Sequence, residues 1–282
     1  MPLPSNRAYH VVYDSSLEDA LNYASGNNWT SIVPDIGVPR FAPEKYSQEQ
    51  KKKLRDLSQE LRVGWGFHAP GDDISLFATY APVKRAIIHY LKRIIDFARS
   101  VSVSSTNLVV HAGVLPSLKQ ARMMKDEFVK AFYGDFLNTL VGNLLELIDY
   151  ASPDVDIVLE NHNWTPLVHD AIESLISEGL KLCVDIPKLY DSTGRIKDKD
   201  WTVFHKHRRS VSVVHIHDWS ERCGSHQIVG EGTIDFEPPL RFLTEIAPSP
   251  IQYVFEVRDR DNAQQSLRNF EKLVDDLGMN LG

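Results

Sequence analysis

Short apolar runs rich in β-branched residues recur along the whole chain, and longer amphipathic stretches separate them. This alternation is typical of repeated βα units, in which helices cover a parallel sheet. The number of such units limits the folds that the chain can adopt. The apolar runs predict eight strands, over residues 8–13, 31–36, 63–67, 107–111, 156–160, 181–185, 212–217 and 251–257.

The stretches between the predicted strands have the periodicity of amphipathic helices. Ser16 and Ser47 each precede a segment with acidic residues in its first turn, and a serine at this place predicts the start of a helix. Helices are predicted over residues 17–25, 47–61, 82–100, 116–151, 168–177 and 262–277, with weaker patterns over residues 201–207 and 239–246.

Eight strands allow either an open doubly wound sheet or a closed barrel. The open sheet of dinucleotide-binding proteins carries a glycine fingerprint after its first strand, and this sequence has none there. A (β/α)₈ TIM barrel is an α/β fold of about 250 residues, which suits a chain of 282 residues. We therefore expect a single barrel domain over residues 1–282.

Charge and composition exclude several classes of protein. The formal net charge is −7, so a broad basic surface and a nucleic-acid partner are not expected. Cys183 and Cys223 lie in different segments and form no disulfide framework. No apolar run approaches the ~20 residues of a membrane helix, and the first residues lack the pattern of a secretion signal. These features predict a cytoplasmic protein.

Side chains that can bind a metal lie at the ends of six of the eight predicted strands. The strands of a barrel all run the same way, so their last residues converge at one mouth. Carboxylates buried there need a cation to offset their lost hydration, and oxygen and nitrogen donors without a thiolate suit Mn²⁺, Zn²⁺, Fe²⁺ or Co²⁺. The residues are His68, His111, Glu160, Asp185, His215 with His217, and Glu256.

Seven short segments carry a resemblance to a known family. In chain order they are Gly-Phe-His68-Ala-Pro, Val-Val-His111-Ala-Gly, Val-Leu-Glu160-Asn161, Cys-Val-Asp185, His215-Ile-His217-Asp218, Gly230-Glu-Gly-Thr-Ile-Asp235 and Val-Phe-Glu256-Val. Their order resembles that of the xylose isomerase-like TIM barrel superfamily, which groups sugar isomerases and epimerases with zinc-dependent apurinic endonucleases. The resemblance spans about residues 60 to 260.

This resemblance implies a metal quartet of Glu160, Asp185, His215 and Glu256. His217 lies two residues after His215 on the same side of the strand, so it is an alternative ligand. The resemblance also places His68 and His111 beside the quartet. There they hold a second metal in endonuclease-like members or lie near the substrate in isomerase-like members.

The sequence departs from the endonuclease pattern at two places. Lys188 stands where those members have a histidine, and Gly224-Ser-His226 replaces an Asp-x-His pair, so two of the three ligands of a third metal are absent. This loss argues against phosphodiester cleavage, in which additional metals clamp the reacting oxygens.

Three residues near these motifs each allow two interpretations. Lys188 either binds a substrate hydroxyl, carboxylate or phosphate or is a solvated surface lysine. His226 either contacts the substrate or makes a structural hydrogen bond. Arg222 either binds an anionic group or forms surface ion pairs.

The leading hypothesis is a divalent-metal-dependent isomerase or epimerase of a small keto or hydroxy sugar or sugar acid. Glu160 and Glu256 are the predicted base and acid, and the reaction passes through an enediolate. A sugar-acid dehydratase uses the same proton abstraction. A metallohydrolase, apurinic endonuclease-like, is the other alternative, with His68 and His111 completing a dinuclear site. A barrel that only binds a ligand is disfavoured by the intact quartet, and the resemblance implies a homodimer or homotetramer.

Overall fold

The computed structural model describes residues 6–71, 73–115, 125–246 and 250–281. Strands and helices alternate along these residues. The strands are β1 (Arg7–Val11), β2 (Ser31–Pro34), β3 (Gly64–Trp65), β4 (Phe67–His68), β5 (Thr106–Val110), β6 (Val155–Glu160), β7 (Lys181–Asp185), β8 (Val211–Ile216), β9 (Asp218–Ser220), β10 (Gly224–Gln227) and β11 (Gln252–Phe255). The helices are α1 (Leu17–Gly26), α2 (Gln48–Leu61), α3 (Ala81–Val101), α4 (Lys125–Ala131), α5 (Tyr133–Ala151), α6 (Pro166–Leu175), α7 (Asp198–Lys206), α8 (Glu237–Ile246) and α9 (Arg260–Asp276).

Nine of the strands form one parallel sheet that closes on itself. Its order is β3-β2-β1-β11-β8-β7-β6-β5-β4, and β3 and β4 at its two ends are successive pieces of one strand, separated only by Gly66. A parallel bridge between Asp35 and His68 also connects the end of β2 to β4. The sheet is therefore a ring of eight strands, which confirms the predicted (β/α)₈ TIM barrel. The hairpin β9–β10 lies outside the ring.

The middle of the barrel is filled by small and β-branched side chains. Successive side chains of a strand point to opposite faces, so one face of each strand lines the interior. Seven strands each contribute one buried residue to a separate apolar cluster: Ala8, Val33, Val109, Val158, Cys183, Val213 and Val254. This cluster, which we call the middle layer, is the packed core of the barrel, as in other TIM barrels.

At the level of the middle layer the third strand has a glycine, Gly66. The side chain of Gln252 lies too close to Gly66 for a larger residue to fit there. A Cβ at Gly66 would lie 2.4 Å from Oε1 of Gln252. The amide of Gln252 donates to Ser31 Oγ at 3.1 Å and accepts from Asn107 Nδ2 at 3.4 Å. These polar residues lie on the lower side of the middle layer, and only glycine leaves room for Gln252.

The opposite face of each strand packs against the helices. Tyr9, Leu108, Leu182 and Phe255, for example, are buried in the large apolar cluster that also contains the inner faces of the helices. Eight of the helices, α1 to α3 and α5 to α9, contribute buried residues to this cluster and are thereby fixed against the sheet. Among the helices that the structure describes, none is long and apolar enough to cross a membrane.

The structure differs from the sequence prediction at three elements. The helix predicted over residues 116–151 is two helices, α4 and α5, which meet at Phe132 with non-helical dihedrals of φ −117° and ψ 21°. Gly134 in the next turn lowers helix propensity there, and residues 116–124 lie outside the described residues. The third strand continues to His68, and a hairpin follows β8 where no strand was predicted. That residues 1–282 form a single domain stays a prediction.

The start of α2 confirms the sequence signal at Ser47 and yields a stability prediction. The Ser47 hydroxyl accepts from the Gln50 N–H at 3.2 Å, and Gln50 Oε1 accepts from the Ser47 N–H at 2.8 Å. Ser47→Ala removes one half of this reciprocal pair, and we expect it to lower the free energy of unfolding by about 1 kcal/mol. Urea denaturation measures this change. Ser104→Ala, at an exposed loop serine, is the control, and an equal loss in both variants would contradict the capping role.

Candidate functional site

Eight polar side chains form a ring at the mouth of the barrel, directly above the middle layer. Each lies two residues after a residue of that layer, or after Gly66, and therefore points to the same interior face. Asp185, for example, follows Cys183 on β7, and Glu160 follows Val158 on β6. The ring consists of His10, Asp35, His68, His111, Glu160, Asp185, His215 and Glu256.

His215 lies at the centre of three carboxylates. Its Nδ1 is 3.3 Å from Glu256 Oε1, 3.4 Å from Glu160 Oε2 and 4.0 Å from Asp185 Oδ2. Neither ring nitrogen of His215 has a hydrogen-bond partner among the residues that the structure describes. Burial lowers the pKa of His215 to about 3, so the ring is neutral and offers a lone pair.

This arrangement fits a divalent metal ion. Donors about 2.1 Å from a shared ion and about 110° apart lie roughly 3.4 Å from one another. The distances from His215 Nδ1 to the carboxylate oxygens of Glu160 and Glu256 are close to this value. A buried imidazole that lacks a partner and faces three carboxylates has the donor chemistry of a metal ligand.

His68 and His111 both face the same oxygen of Glu160. Their Nε2 atoms lie 3.2 Å and 3.1 Å from Glu160 Oε2. Burial would lower the pKa of His68, but the Glu160 carboxylate outweighs burial and raises that pKa to about 9. The ring of His111 stacks on His162 with centroids 4.3 Å apart, and burial and the neighbouring His111 lower the pKa of His162 to about 4.

Lys188 reaches into the ring from the short turn after β7. Its Nζ forms an ion pair with Asp185 Oδ2 at 2.8 Å and another with Glu160 Oε1. Burial would raise the pKa of the Glu160 carboxyl, but Lys188 and His215 hold it well below its usual range. Lys188 lies against the predicted ligands and not on a solvated surface.

His217 is held by partners on both sides of its ring. The His226 N–H donates to His217 Nδ1 at 3.2 Å, and His217 Nε2 lies 3.4 Å from Asp185 Oδ2. The Asp218 carbonyl oxygen is also 3.2 Å from Nδ1. The tautomer with its proton on Nε2 satisfies both the His226 amide and the Asp185 carboxylate, whereas the other tautomer satisfies only the Asp218 carbonyl.

Asp218 organises the loop that follows β8. Its buried carboxylate accepts backbone N–H groups of Trp219 at 2.8 Å, Gly230 at 2.9 Å and Ile234 at 3.1 Å. A Cβ at Gly232 would lie 2.2 Å from Asp218 Oδ1, so glycine is required where the loop wraps around the carboxylate. The loop in turn positions His226, whose Nδ1 donates to the Glu256 carbonyl at 3.0 Å.

A cavity of about 550 Å³ opens above the ring. It includes His226 and Lys188, which the sequence analysis singled out, but not Arg222, which is exposed at the turn between β9 and β10. Arg258, after β11, lines the cavity in its place. Other lining residues are His10, Asp35, His68, His111, His162 and Glu256.

The sequence analysis missed two members of the ring, His10 and Asp35. His10 Nε2 is buried, has no hydrogen-bond partner among the described residues and lies 3.9 Å from Glu256 Oε1. Burial and the nearby His68 keep the pKa of His10 well below its usual value. The signal was present in the sequence, because His10 follows Ala8 and Asp35 follows Val33 by the same two-residue step as the other members.

Comparison with known proteins identifies the family. A family model described as xylose isomerase-like TIM barrel matches residues 31–273. The chain therefore belongs to the xylose isomerase-like TIM barrel family, and the predicted resemblance is confirmed. No curated protein sequence matches the chain.

Solved structures agree with this fold. A D-tagatose 3-epimerase-like protein is 18% identical with a TM-score of 0.75, over 97% of this chain and 98% of that one. The D-psicose 3-epimerase from Clostridium cellulolyticum H10 is 10% identical with a TM-score of 0.70, over 98% and 100% of the two chains. The IolI protein with a bound zinc atom is 14% identical with a TM-score of 0.66, over 96% and 97%.

The hydrogen bonds of Asp218 yield a prediction about the loop. Asp218→Ala leaves three backbone N–H groups without their acceptor, and we expect the free energy of unfolding to fall by about 3 kcal/mol, since a single unpaired buried group costs about 1–3 kcal/mol. Urea denaturation measures the loss. Asp218→Asn keeps one oxygen acceptor and should lose less. Equal losses in the two variants would show that the hydrogen bonds are not the cause.

Glu256 yields a prediction about pH for the protein freed of metal by a chelator. Burial raises the pKa of Glu256 to about 7 from an ordinary 4.5. The folded chain therefore holds this proton more tightly than the unfolded chain. The resulting stability is fully present below pH 4.5 and is lost as the pH rises through about 7. Glu256→Gln carries no such proton, so we expect it to gain about 3 kcal/mol relative to the unsubstituted chain across this range.

Chemical denaturation at a series of pH values measures that difference. Glu245→Gln, at an exposed glutamate of α8, is the matched control and should show no trend. A difference between Glu256→Gln and the unsubstituted chain that does not change with pH would exclude a buried carboxylate as its source.

Proposed function

We propose that this chain is a divalent-metal-dependent isomerase or epimerase that acts on a small keto or hydroxy sugar or a sugar acid. The observation that carries the proposal is the neutral, unpartnered imidazole of His215 between the carboxylates of Glu160, Asp185 and Glu256. These four residues are the proposed ligands. Bound there, the metal would supply a Lewis acid that polarises adjacent carbonyl and hydroxyl oxygens of the substrate.

The hydrogen bonds favour His215 over His217 as the ligand. His217 makes a hydrogen bond at each ring nitrogen in its better-satisfied tautomer, whereas both nitrogens of His215 are free of hydrogen bonds to the described residues. His217 is therefore proposed to orient Asp185. Oxygen and imidazole donors are compatible with Mn²⁺, Zn²⁺, Fe²⁺ and Co²⁺.

Glu160 and Glu256 are the proposed proton-transfer pair. Glu160 ends β6 and Glu256 directly follows β11, two strands that lie on opposite sides of β8 in the sheet. Their environments move their pKa values apart. The pKa of Glu160 is held well below its usual range by Lys188 and His215, while burial raises that of Glu256 to about 7. In the chain without metal, Glu160 is therefore the carboxyl that is ionised, which suits a base, and Glu256 is the carboxyl that holds a proton more tightly, which suits an acid.

The proposed reaction moves one proton. Glu160 removes it from the carbon beside the substrate carbonyl. The C–H electron pair forms the carbon–carbon double bond of an enediolate, and the carbonyl π pair moves to the oxygen. Glu256 returns a proton to the other face of that carbon, the electron pair on oxygen re-forms the carbonyl, and the carbon is inverted. Return to the neighbouring carbon, with transfer of the hydroxyl proton to the other oxygen, instead isomerises the sugar. Exchange with water then removes the proton from Glu160 and restores one to Glu256. Inversion requires a group on each face of the carbon, and Glu160 and Glu256 are the residues proposed for these two places.

The cavity suits a sugar. Its volume of about 550 Å³ falls in the range of small-molecule sites, roughly 300–1,000 Å³. His10, His111 and His226 line it and offer imidazole nitrogens to hydroxyl groups. Structural neighbours named as 3-epimerases of D-psicose and L-ribulose make ketoses the first substrates to test. A homodimer or homotetramer and a cytoplasmic location stay predictions.

Substitution of the proposed acid and base tests the mechanism. We expect Glu160→Gln and Glu256→Gln each to lower ketose epimerisation by at least about 10²- to 10⁴-fold, because general acid–base catalysis contributes about that factor. Proton exchange into D₂O at the carbon beside the carbonyl, followed by NMR with D-tagatose, D-psicose and L-ribulose, measures the reaction directly. Glu245→Gln is again the control, and activity retained in both active-site variants would refute the assignment.

A second candidate, phosphodiester hydrolysis, is favoured by one observation. His68 and His111 both face Glu160 Oε2, as ligands of a second ion would. Nicking of an oligonucleotide with an abasic site, without exchange in any ketose, would replace the leading proposal with this one. Loss of water from a sugar acid, seen as formation of a keto acid, would instead identify a dehydratase that uses the same base.

A further inference from the structure

The two oxygens of the Glu160 carboxylate have different surroundings. Oε2 faces the imidazoles of His68 at 3.2 Å, His111 at 3.1 Å and His215 at 3.4 Å. Oε1 is paired with the ammonium group of Lys188. One oxygen is therefore directed at three nitrogen donors, and the other is occupied by a cation of the chain itself.

A pair of metal ions joined by a carboxylate needs an oxygen of that carboxylate for each ion. The nitrogen donors for a second ion are present, since His68, His111 and Glu160 lie together. What is missing is the free second oxygen. Lys188 takes Oε1 and also contacts Asp185 Oδ2 at 2.8 Å, so its positive charge lies beside the proposed quartet, and Oε2 is the oxygen of Glu160 that it leaves open.

Lys188 is anchored at this place by its backbone. Its N–H donates to Asp185 Oδ1 at 3.1 Å, and its carbonyl accepts from Lys197 Nζ at 2.8 Å. Both backbone polar groups of Lys188 thus make hydrogen bonds. They hold the residue where its side chain reaches the two carboxylates. The Lys188 side chain is about three-quarters buried, with 26% of its surface exposed.

We propose that Lys188 is a positioning residue that limits the mouth of this barrel to one divalent ion. Its ammonium group holds Glu160 Oε1, so two ions would have to share Oε2, and it repels a second divalent charge beside the first. The residue thereby favours single-ion enediolate chemistry over the clamping of a phosphate between two ions. This inference rests on the proposed metal quartet.

Zinc titration tests the inference without any measurement of activity. Protein freed of metal by a chelator is titrated with Zn²⁺ by calorimetry, and the zinc content after gel filtration is measured by elemental mass spectrometry. We expect about one ion per chain for the unsubstituted protein and about two for Lys188→Met, because Met keeps an unbranched side chain of similar length without the charge. Lys188→Arg keeps the charge and should bind about one ion.

A double variant identifies the second site. Lys188→Met combined with His111→Asn should return to about one ion, because the second ion is expected to use His111. Circular dichroism and thermal unfolding show which variants are folded, and Lys188→Gln replaces Lys188→Met if the latter does not fold.

The outcomes separate the two proposals. Two ions in the unsubstituted chain, or one ion in a folded Lys188→Met or Lys188→Gln variant, would overturn the role of Lys188 while leaving the proposed function in place. A chain that binds zinc only after Lys188 is replaced would also overturn it, since Lys188 would then occupy the first site. Zinc bound to no variant at all would remove the proposed metal quartet itself.

Discussion

The structure depends on burying three carboxylates at the end of an apolar barrel. Glu160 and Asp185 have no exposed surface, and Glu256 is only 4% exposed. Carboxylates at such positions lose their hydration, and they persist only with hydrogen bonds or positive charge nearby. Lys188 and His68 supply part of that charge from within the chain. Glu256 has a pKa raised by burial, and His215 has no hydrogen bond to the described residues, so the proposed divalent ion would supply the remaining positive charge.

The same strands build the core and the site, so the two are coupled. Each ring residue lies two positions after a residue of the middle layer or after Gly66. The packing of that layer therefore determines where the ring side chains lie along the barrel axis and where they point. Val158, Cys183, Val213 and Val254 hold the strands of the quartet in register. Loops after β7 and β8 add the second set of contacts, through Lys188 and His226. TIM barrels typically combine a rigid barrel of strands with loops that vary from one enzyme to another.

The charged side chains of the ring affect which reaction this barrel could catalyse. A barrel of this kind holds donors for more than one ion, and family membership alone does not decide the reaction. Lys188 is a single charge on a flexible stem, and it meets two carboxylates of the quartet at the edge nearest to the cavity. The Lys188 ammonium group is covalently attached to the chain and cannot dissociate, whereas a second metal ion could dissociate. In the proposed arrangement, a side chain outside the strands therefore determines whether one or two ions bind.

The sequence by itself determined the strands, their number and most of the ring. Strand identity depends on local runs of β-branched residues, and the two-residue alternation within each strand decides which side chains share a face. By that rule His10 and Asp35 were also predictable, although they were not singled out because no recognised motif contains them. Tertiary structure decided where the side chains of Lys188, His217 and Arg222 lie. Each lies in or beside a loop, and loop direction depends on contacts with residues distant in sequence. Whether Lys188 points to solvent or to Glu160 follows from the turn after β7 and its bond to Lys197, which no local pattern of residues encodes.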